Sequence, residues 1–201
     1  WTFHGIPSPE GDAYLSFTEG LDGKIWAGAV YQTTLVSFDP GTRELADHGR
    51  LDPAEQYLMH LAVDEEGWVY GGIGTARMAI VAYNPATGEK LQLLDEAERV
   101  VGTAEVYPAD DGSAVGIAGS QYFLLSGGTS TPIDASAAPP RRSVYNIYWG
   151  QTTGTFPDGR LLTGYSLQDR WMDIEDPSTG AVRRIAFDYE TEGVSVTSLG
   201  E

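Results

Sequence analysis

The sequence predicts an all-β fold, a β-propeller of about four four-stranded blades, and two repeated markers carry this prediction. An acidic-Gly turn, followed by a short apolar run and a closing glycine, occurs four times. Its turn glycines, at positions 23, 67, 112 and 159, are separated by 44, 45 and 47 residues. A second marker, an Asp/Asn-Pro turn, has its prolines at positions 40, 85 and 177. Both markers keep one register, and a period of about 45 residues is typical of a propeller blade.

Each repeat is predicted to contain four short strands, and the second repeat shows them most clearly. We assign strand A to residues 58–63, strand B to 68–71, strand C to 79–83 and strand D to 90–93. These segments are rich in β-forming residues and are bounded by Gly, Pro, Asp and Asn. The proline of the C–D turn presets φ and its glycine accepts a left-handed conformation, although the third copy is reduced to Ser126-Gly-Gly-Thr129. Helical periodicity is weak throughout, and residues 95–101 would form at most one or two turns.

The two ends of the sequence resemble parts of a further blade. Residues 1–4 resemble a D strand, and residues 194–200 resemble the A strand of the first repeat. The sequence therefore predicts one propeller domain over residues 1–201, with four blades and the outer strands of a fifth. We expect a piece of a larger propeller, or a chain that completes its ring by self-association.

Composition excludes several classes of function. A net charge of −17 repels phosphate backbones, so we expect no nucleic-acid partner. No run reaches the roughly 18 apolar residues of a membrane span, so we expect no membrane partner. The absence of cysteine excludes disulfides, thiol catalysis and Cys-based metal sites, but leaves the cellular compartment open.

No motif indicates a cofactor or a metal. The Gly72-Ile-Gly74 stretch is followed by a strand rather than a helix, which argues against a dinucleotide site. Residues 109–112 lack the ligand spacing of a calcium loop, and no His-Glu-x-x-His pattern occurs. We therefore expect neither a cofactor nor a bound metal.

The repeat units resemble a known group of propellers. The stretch Asp22-Gly-Lys-Ile-Trp-Ala-Gly28, followed by Phe38-Asp-Pro-Gly-Thr42, is similar to the repeats of streptogramin-lyase-like, SMP-30-like and sensor-type propellers. The resemblance covers nearly the whole chain, but these motifs specify hairpins and so imply a fold. The group includes lyases, lactonases, carbohydrate-processing enzymes and non-catalytic sensor domains, and therefore leaves the activity open.

The candidate binding residues come from the irregular loops. In a propeller, the D–A and B–C connections lie on the face opposite the repeated hairpins, and variable loops on a rigid scaffold often carry function. Arginine binds carboxylates bidentately and aromatic rings stack on sugars, so we expect an anionic or carbohydrate-like ligand, a small molecule or an oligosaccharide. The alternative is that the arginines pair with local acids, among them Glu55 and Glu96, and that Tyr148 packs within a fourth strand A. The candidate ligand-binding residues are Tyr57, Arg77, Arg141, Arg142, Tyr148 and Arg170.

Two residues are candidates for catalysis. His60 lies in the innermost strand of the second repeat, where an imidazole could act as a general base or ligate a metal; the alternative is a hydrogen-bonded channel residue. Tyr145 follows the longest D–A connection. In a lyase, Arg141 or Arg142 would neutralise a uronate carboxylate while Tyr145 or His60 moved the proton. The remaining histidines, at positions 4 and 48, are expected to be structural.

Three functions are compatible with these features. The leading hypothesis is a ligand-binding propeller module whose variable-loop face binds an anionic or carbohydrate-like molecule. The first alternative is a propeller lyase or lactonase acting on acidic saccharides or small esters. The second is a structural or protein-interaction scaffold. The sequence leaves open whether the chain is an enzyme.

Overall fold

A computed structural model describes residues 14–142, 146–148, 154–155, 158–166 and 171–186 of the chain. Within these residues the chain forms eighteen strands and a single short 3-10 turn, Ala135–Ala137. Four successive groups of strands form four antiparallel sheets. The predicted all-β architecture of four four-stranded blades is therefore confirmed. The predicted fifth-blade strands, at residues 1–4 and 194–200, lie outside the described residues.

The blades follow one another along the chain. The first contains β1 (Tyr14–Glu19), β2 (Ile25–Ala29), β3 (Thr34–Asp39) and β4 (Glu44–Arg50). The second contains β5 (Tyr57–Val63), β6 (Val69–Thr75), β7 (Ala79–Tyr83) and β8 (Lys90–Gln92), and is followed by β9 (Gly102–Thr103). The third contains β10 (Glu105–Pro108), β11 (Ala114–Ala118), β12 (Gln121–Ser126) and β13 (Thr129–Ile133). After β14 (Asn146–Tyr148), the fourth contains β15 (Gly154–Thr155), β16 (Leu161–Ser166), β17 (Trp171–Asp176) and β18 (Ala181–Ala186).

The strand between the third and fourth blades departs from the repeat. Strand β14 pairs antiparallel with β1, with Ile147 opposite Phe17. It therefore extends the first sheet at its inner edge, while β15 supplies the innermost described strand of the fourth blade. The assignment of Tyr148 to the fourth strand A is wrong, because Tyr148 lies in β14, which belongs to the first sheet; the interpretation of its side chain as a packing group stays a prediction. An inner strand has backbone groups that need hydrogen-bond partners, and β14 supplies them to β1.

The second blade is longer at strand B than predicted. Strand β6 continues to Thr75, and Gly74 and Thr75 pair with β9. The glycines at this end of β6 do not terminate the strand. They allow the backbone of the segment before β10 to approach β6 closely. A methyl group on Gly72 would meet the carbonyl of Ala104, and one on Gly74 would meet the carbonyl of Gly102. Residues 95–101 form a turn rather than a helix.

The hydrophobic core consists of two clusters, one on each face of the second blade. The cluster against the first blade contains Trp26, Leu35, Leu58, Leu61 and Val69 among its buried residues. The cluster against the third blade is formed around Tyr70, Ile80, Val106, Phe123 and Leu125. Alternate residues of each strand supply the two faces, as expected for a sheet buried on both sides. This packing fixes the inner strands that carry the candidate site.

Candidate functional site

A β-bulge in β5 determines where His60 faces. The pairing of β5 with β6 shifts register between Leu58 and His60. Residues two apart in a regular strand share a face, whereas here the bulge separates them. Leu58 packs in the cluster against the first blade. His60 lies beside Gly72 and the Ala104 backbone, and therefore faces the third blade.

The environment of His60 favours its neutral form. The side chain is half-buried in the inner strand of the second blade. Burial lowers the pKa of the His60 imidazole to about 4, and the positive charge of Arg141 acts in the same direction. At neutral pH the ring is therefore uncharged, with one nitrogen that accepts a hydrogen bond and one that donates. Such a group can bind a hydroxyl or take up a proton.

Arg141 and Arg142 do not lie on the variable-loop face, where the sequence analysis placed them. Arg141 forms a β-bridge with Ala109, and the Arg142 N–H donates to the Pro108 carbonyl at 2.8 Å. The Arg142 guanidinium donates to the Val63 carbonyl at 3.0 Å. These partners are the ends of β5 and β10 where the A–B hairpins begin. The connection after β13 reaches this end because its backbone pairs with the hairpin turn of the third blade.

The Arg141 guanidinium is held by an aromatic ring and is exposed to solvent. It lies over the Tyr107 ring, 4.5 Å from the ring centroid. The Tyr107 hydroxyl in turn donates to the Pro139 carbonyl at 3.1 Å. Among the described residues, no carboxylate lies within ion-pair distance of Arg141. Its N–H groups can therefore bind an external anion while stacking restrains the plane of the group.

Arg77 and Tyr57 lie on the second blade, apart from Arg141. The Arg77 guanidinium forms an ion pair with Glu96, and the Arg77 backbone N–H donates to Glu55 at 2.8 Å. The alternative interpretation of pairing with a local acid therefore holds for Arg77. Tyr57 is half-buried and its ring lies 5.8 Å from the exposed ring of Tyr31. This aromatic pair marks the variable-loop end of the first two blades.

A buried ion pair on the same face was not anticipated from the sequence. Asp52 is only 4% exposed, and its carboxylate accepts a hydrogen bond from Arg99 at 2.7 Å. Its other oxygen accepts the backbone N–H groups of Ala54 and Glu55. Burial opposes ionisation of Asp52, but these N–H groups and Arg99 outweigh it and lower the pKa of the carboxyl. The pair joins two successive D–A connections. From the sequence alone, an Asp before Pro53 predicts only a turn.

Three further predicted residues have no described side chain. Tyr145 and Arg170 lie outside the described residues, and only the backbone of Tyr148 is placed, in β14. The structure thus brings Arg141 and Tyr107 into contact, and the charge of Arg141 acts on the His60 ring. Tyr107 could have been suggested by the register of the third blade, since it follows the alternation of β10 onto the face opposite Val106.

The remaining described histidine has a structural role. The ring of His48 forms hydrogen bonds with Ser37 at 2.8 Å and with Tyr83 at 2.9 Å, across the interface of the first two blades. In the described part of the chain, no group of three or more His, Asp or Glu side chains could hold a metal ion. The described residues also include no helix long and apolar enough to cross a membrane.

The chain is similar to solved propeller structures. A streptogramin B lyase is 15% identical with a TM-score of 0.45, over 90% of this chain and 56% of that protein. An extracellular domain, described as part of a hybrid two-component system of B. thetaiotaomicron, is 13% identical with a TM-score of 0.40, over 88% and 22%. A fungal alcohol oxidase in complex with copper is 10% identical with a TM-score of 0.47, over 87% and 53%. No protein-family model and no curated protein matches the chain.

These similarities concern the fold alone. The chain spans about half the length of the streptogramin B lyase that it matches. The neighbours include a lyase, an extracellular domain of a two-component system and an oxidase. At identities of 10–15%, no ligand, activity or residue role is transferred to this chain. The blade architecture rests on the four sheets described above.

Proposed function

We propose that the chain is a ligand-binding propeller module, and that it binds an anionic, carbohydrate-like molecule at the hairpin end of the inner strands. The observation that carries this proposal is that the positive charge of Arg141 is exposed and has no carboxylate partner among the described residues. The Arg141 guanidinium is also stacked on Tyr107. On a protein of net charge −17, an uncompensated guanidinium can bind an anion specifically at this position.

Four other arginines provide the contrast. Arg77, Arg99, Arg160 and Arg184 each form an ion pair with a carboxylate. Their charges are therefore already compensated within the chain. Arg141 is attached to the fold through its backbone and through the Tyr107 ring, which leaves the edges of the guanidinium for a ligand.

The neutral His60 determines the expected shape of the ligand. Arg141 lies close enough to His60 to affect its pKa, and the imidazole is uncharged at neutral pH. A ligand whose carboxylate binds Arg141 would therefore place a neighbouring hydroxyl in the surroundings of an uncharged ring. A sugar acid combines these two groups. We accordingly infer that uronates and their short oligomers are the ligand class to test first.

The test is a binding titration with galacturonate, digalacturonate and glucuronate, followed by calorimetry. We expect Arg141→Gln to weaken binding by at least about tenfold, since a charge-assisted hydrogen bond contributes roughly 1.5–3 kcal/mol. Arg183→Gln is the matched control, because Arg183 is exposed on the outer strand β18 and its loss changes the net charge equally. Equal weakening by both variants, or no binding of any acid by the parent chain, would reject the proposal.

A second candidate function is catalysis by a lyase or lactonase. It is favoured by the position of His60 in an inner strand, although a pKa of about 4 makes the uncharged ring a weaker base than an ordinary imidazole. His60→Ala separates the two functions: a binding module retains most of its affinity, whereas an enzyme loses turnover. Formation of an unsaturated product that absorbs in the ultraviolet would support the lyase. If no acidic saccharide or small ester is bound or converted, the scaffold alternative is preferred.

A further inference from the structure

We propose a second binding site, for a small organic ammonium ion, in a cavity between the first two blades on the hairpin face. The cavity has a volume of about 330 Å³. It is formed by the A–B turns of the first and second blades and by the C–D turn of the second. Its size falls at the lower end of the range of small-molecule sites. This inference is independent of the function proposed for Arg141.

A rigid aromatic residue forms part of the cavity wall. Trp26 contributes to the lining and is otherwise buried, with 3% of its surface exposed. Its indole lies 4.9 Å from the His48 ring and 6.3 Å from the Tyr83 ring, measured between centroids. The hydrogen bond between His48 and Tyr83 fixes those two rings in turn. The indole is therefore held in place before any ligand enters.

Two further apolar residues of the lining are exposed to solvent. Leu21 is 63% exposed at the tip of the first A–B turn, and Pro85 lines the opposite side from the C–D turn of the second blade. The Asn84 side chain caps this C–D turn by accepting the Ala86 N–H at 2.9 Å. Its amide group has donors remaining for a ligand. The apolar part of the lining thus lies beside an amide that can bind a ligand.

The charges around the cavity favour a cation over an anion. Four carboxylates, on Asp22, Asp64, Glu65 and Glu66, contribute to the lining, against a single ammonium, on Lys24. Lys24 is paired with Asp22 at 2.8 Å and both side chains are largely exposed. Low-dielectric walls concentrate the net negative potential within the cleft. The indole of Trp26 borders the same cavity and adds attraction for an ammonium group that reaches its ring.

Three of these carboxylates act from a distance, because they lie against the third blade. The Glu66 carboxylate accepts a hydrogen bond from the Ser126 hydroxyl at 3.3 Å, and Glu65 lies against Gly112, both on the third blade. Asp64 is fully engaged by hydrogen bonds within the second and third blades. These groups therefore set the sign of the potential, and Asp22 is the carboxylate left to contact a ligand directly once Lys24 is displaced.

Three probes of similar shape test the inference: phenethylamine, 2-phenylethanol and 3-phenylpropionate. Titration is followed by the indole N–H resonance of Trp26, assigned by its loss in Trp26→Phe. We expect phenethylamine to shift this resonance saturably at millimolar concentration, the alcohol to bind several-fold more weakly and the carboxylate to give no shift. Equal shifts with all three probes, or no shift with phenethylamine, would overturn the proposed cation site.

A charge-matched pair of variants tests the location. Lys24→Gln removes the competing ammonium and releases Asp22, so it should bind phenethylamine several-fold more tightly than the parent chain. Arg183→Gln removes the same charge from the outer strand of the fourth blade and should leave the affinity unchanged within about twofold. Circular dichroism establishes that both variants are folded. An equal gain in the two variants would show that net charge, and not this cavity, controls binding.

Discussion

The Tyr70 hydroxyl donates a hydrogen bond of 2.7 Å to the buried carboxylate of Asp64, and this pair joins two blades. The same carboxylate oxygen accepts the Gly127 N–H at 2.9 Å, and the Tyr70 oxygen accepts the Gly128 N–H at 3.0 Å. The A–B turn of the second blade is thereby bonded to the C–D turn of the third. The acidic turn of this repeat is therefore both a hairpin and an attachment between blades.

Replacement of Tyr70 by Phe should destabilise this interface. The change removes one hydrogen bond to an Asp64 oxygen and leaves the Gly128 N–H without its acceptor, and both groups are buried. We expect the free energy of unfolding in urea to fall by about 2 kcal/mol. Tyr122→Phe is the control, because the Tyr122 hydroxyl has no hydrogen bond in the described part of the chain, and it should change stability by less than about 0.5 kcal/mol. Equal losses would contradict the role assigned to Tyr70.

The same hydroxyl predicts a loss of stability at alkaline pH. Burial raises the pKa of Tyr70 well above its ordinary value of 10, and the hydrogen bond to Asp64 acts in the same direction. The folded state therefore keeps the phenol protonated where the unfolded state releases its proton, so this stabilisation is complete below pH 10 and is lost above it. Unfolding free energies measured from pH 8 to 11 should fall more steeply in the parent chain than in Tyr70→Phe. Parallel curves would refute the prediction.

The low pKa of His60 predicts that the folded state loses stability as the pH falls, whereas Tyr70 predicts a loss as the pH rises. The pKa of His60 is 6.5 when unfolded and about 4 when folded, because burial, aided by Arg141, disfavours the charged ring. The contribution is present above pH 6.5 and is lost as the pH falls towards 4, by at most about 3 kcal/mol. His60→Gln should flatten the stability curve in that window, and the His60 ring resonances of the parent should titrate near pH 4. A midpoint close to 6.5 would count against the buried environment.

The repeat register was predictable from the sequence because each repeat carries the same acidic-Gly turn at the same position. Glycines with positive φ at positions 23, 67, 112 and 159 recur at each A–B hairpin, where few other residues adopt that conformation. The identity of strand C of the second blade, Ala79–Tyr83, followed from its apolar composition and its flanking turns. The candidate His60 also followed from this register, since inner strands line the centre of a propeller.

What the sequence did not predict depends on contacts between distant segments. The pairing of β14 with β1 and the position of Arg141 at the hairpin end both follow from the path of one long connection. Periodicity carries no information about such a path. The Asp52–Arg99 pair joins two loops 47 residues apart, and each residue alone looks like an ordinary exposed charge. Local patterns therefore define the blades, whereas long-range contacts assemble the candidate site.

The Asp52–Arg99 pair provides a comparison of buried and exposed charges. Arg99→Ala leaves the buried Asp52 carboxylate without its cation, and we expect it to lower the free energy of unfolding by about 3 kcal/mol. Arg160→Ala removes a similar ion pair, with Asp158, that is exposed on an A–B turn, and no measurable change is expected. Both are measured by chemical denaturation at neutral pH. A larger effect of Arg160→Ala would show that burial does not control these pairs.

The close approach of the second and third blades at Gly72 leads to the last prediction. A Cβ there would collide with the Ala104 carbonyl and press on His60, so Gly72→Ala must separate β6 from the segment that leads into β10. We expect a loss of about 1–3 kcal/mol and a shift of the His60 ring resonances, because the displaced backbone forms part of its surroundings. Gly164→Ala is the matched control: its methyl would meet only the Trp171 ring, at an ordinary distance of 3.6 Å, and stability should stay the same or rise slightly. If Gly72→Ala left both stability and the His60 resonances unchanged, the inner strands could not be packed as closely as this contact requires.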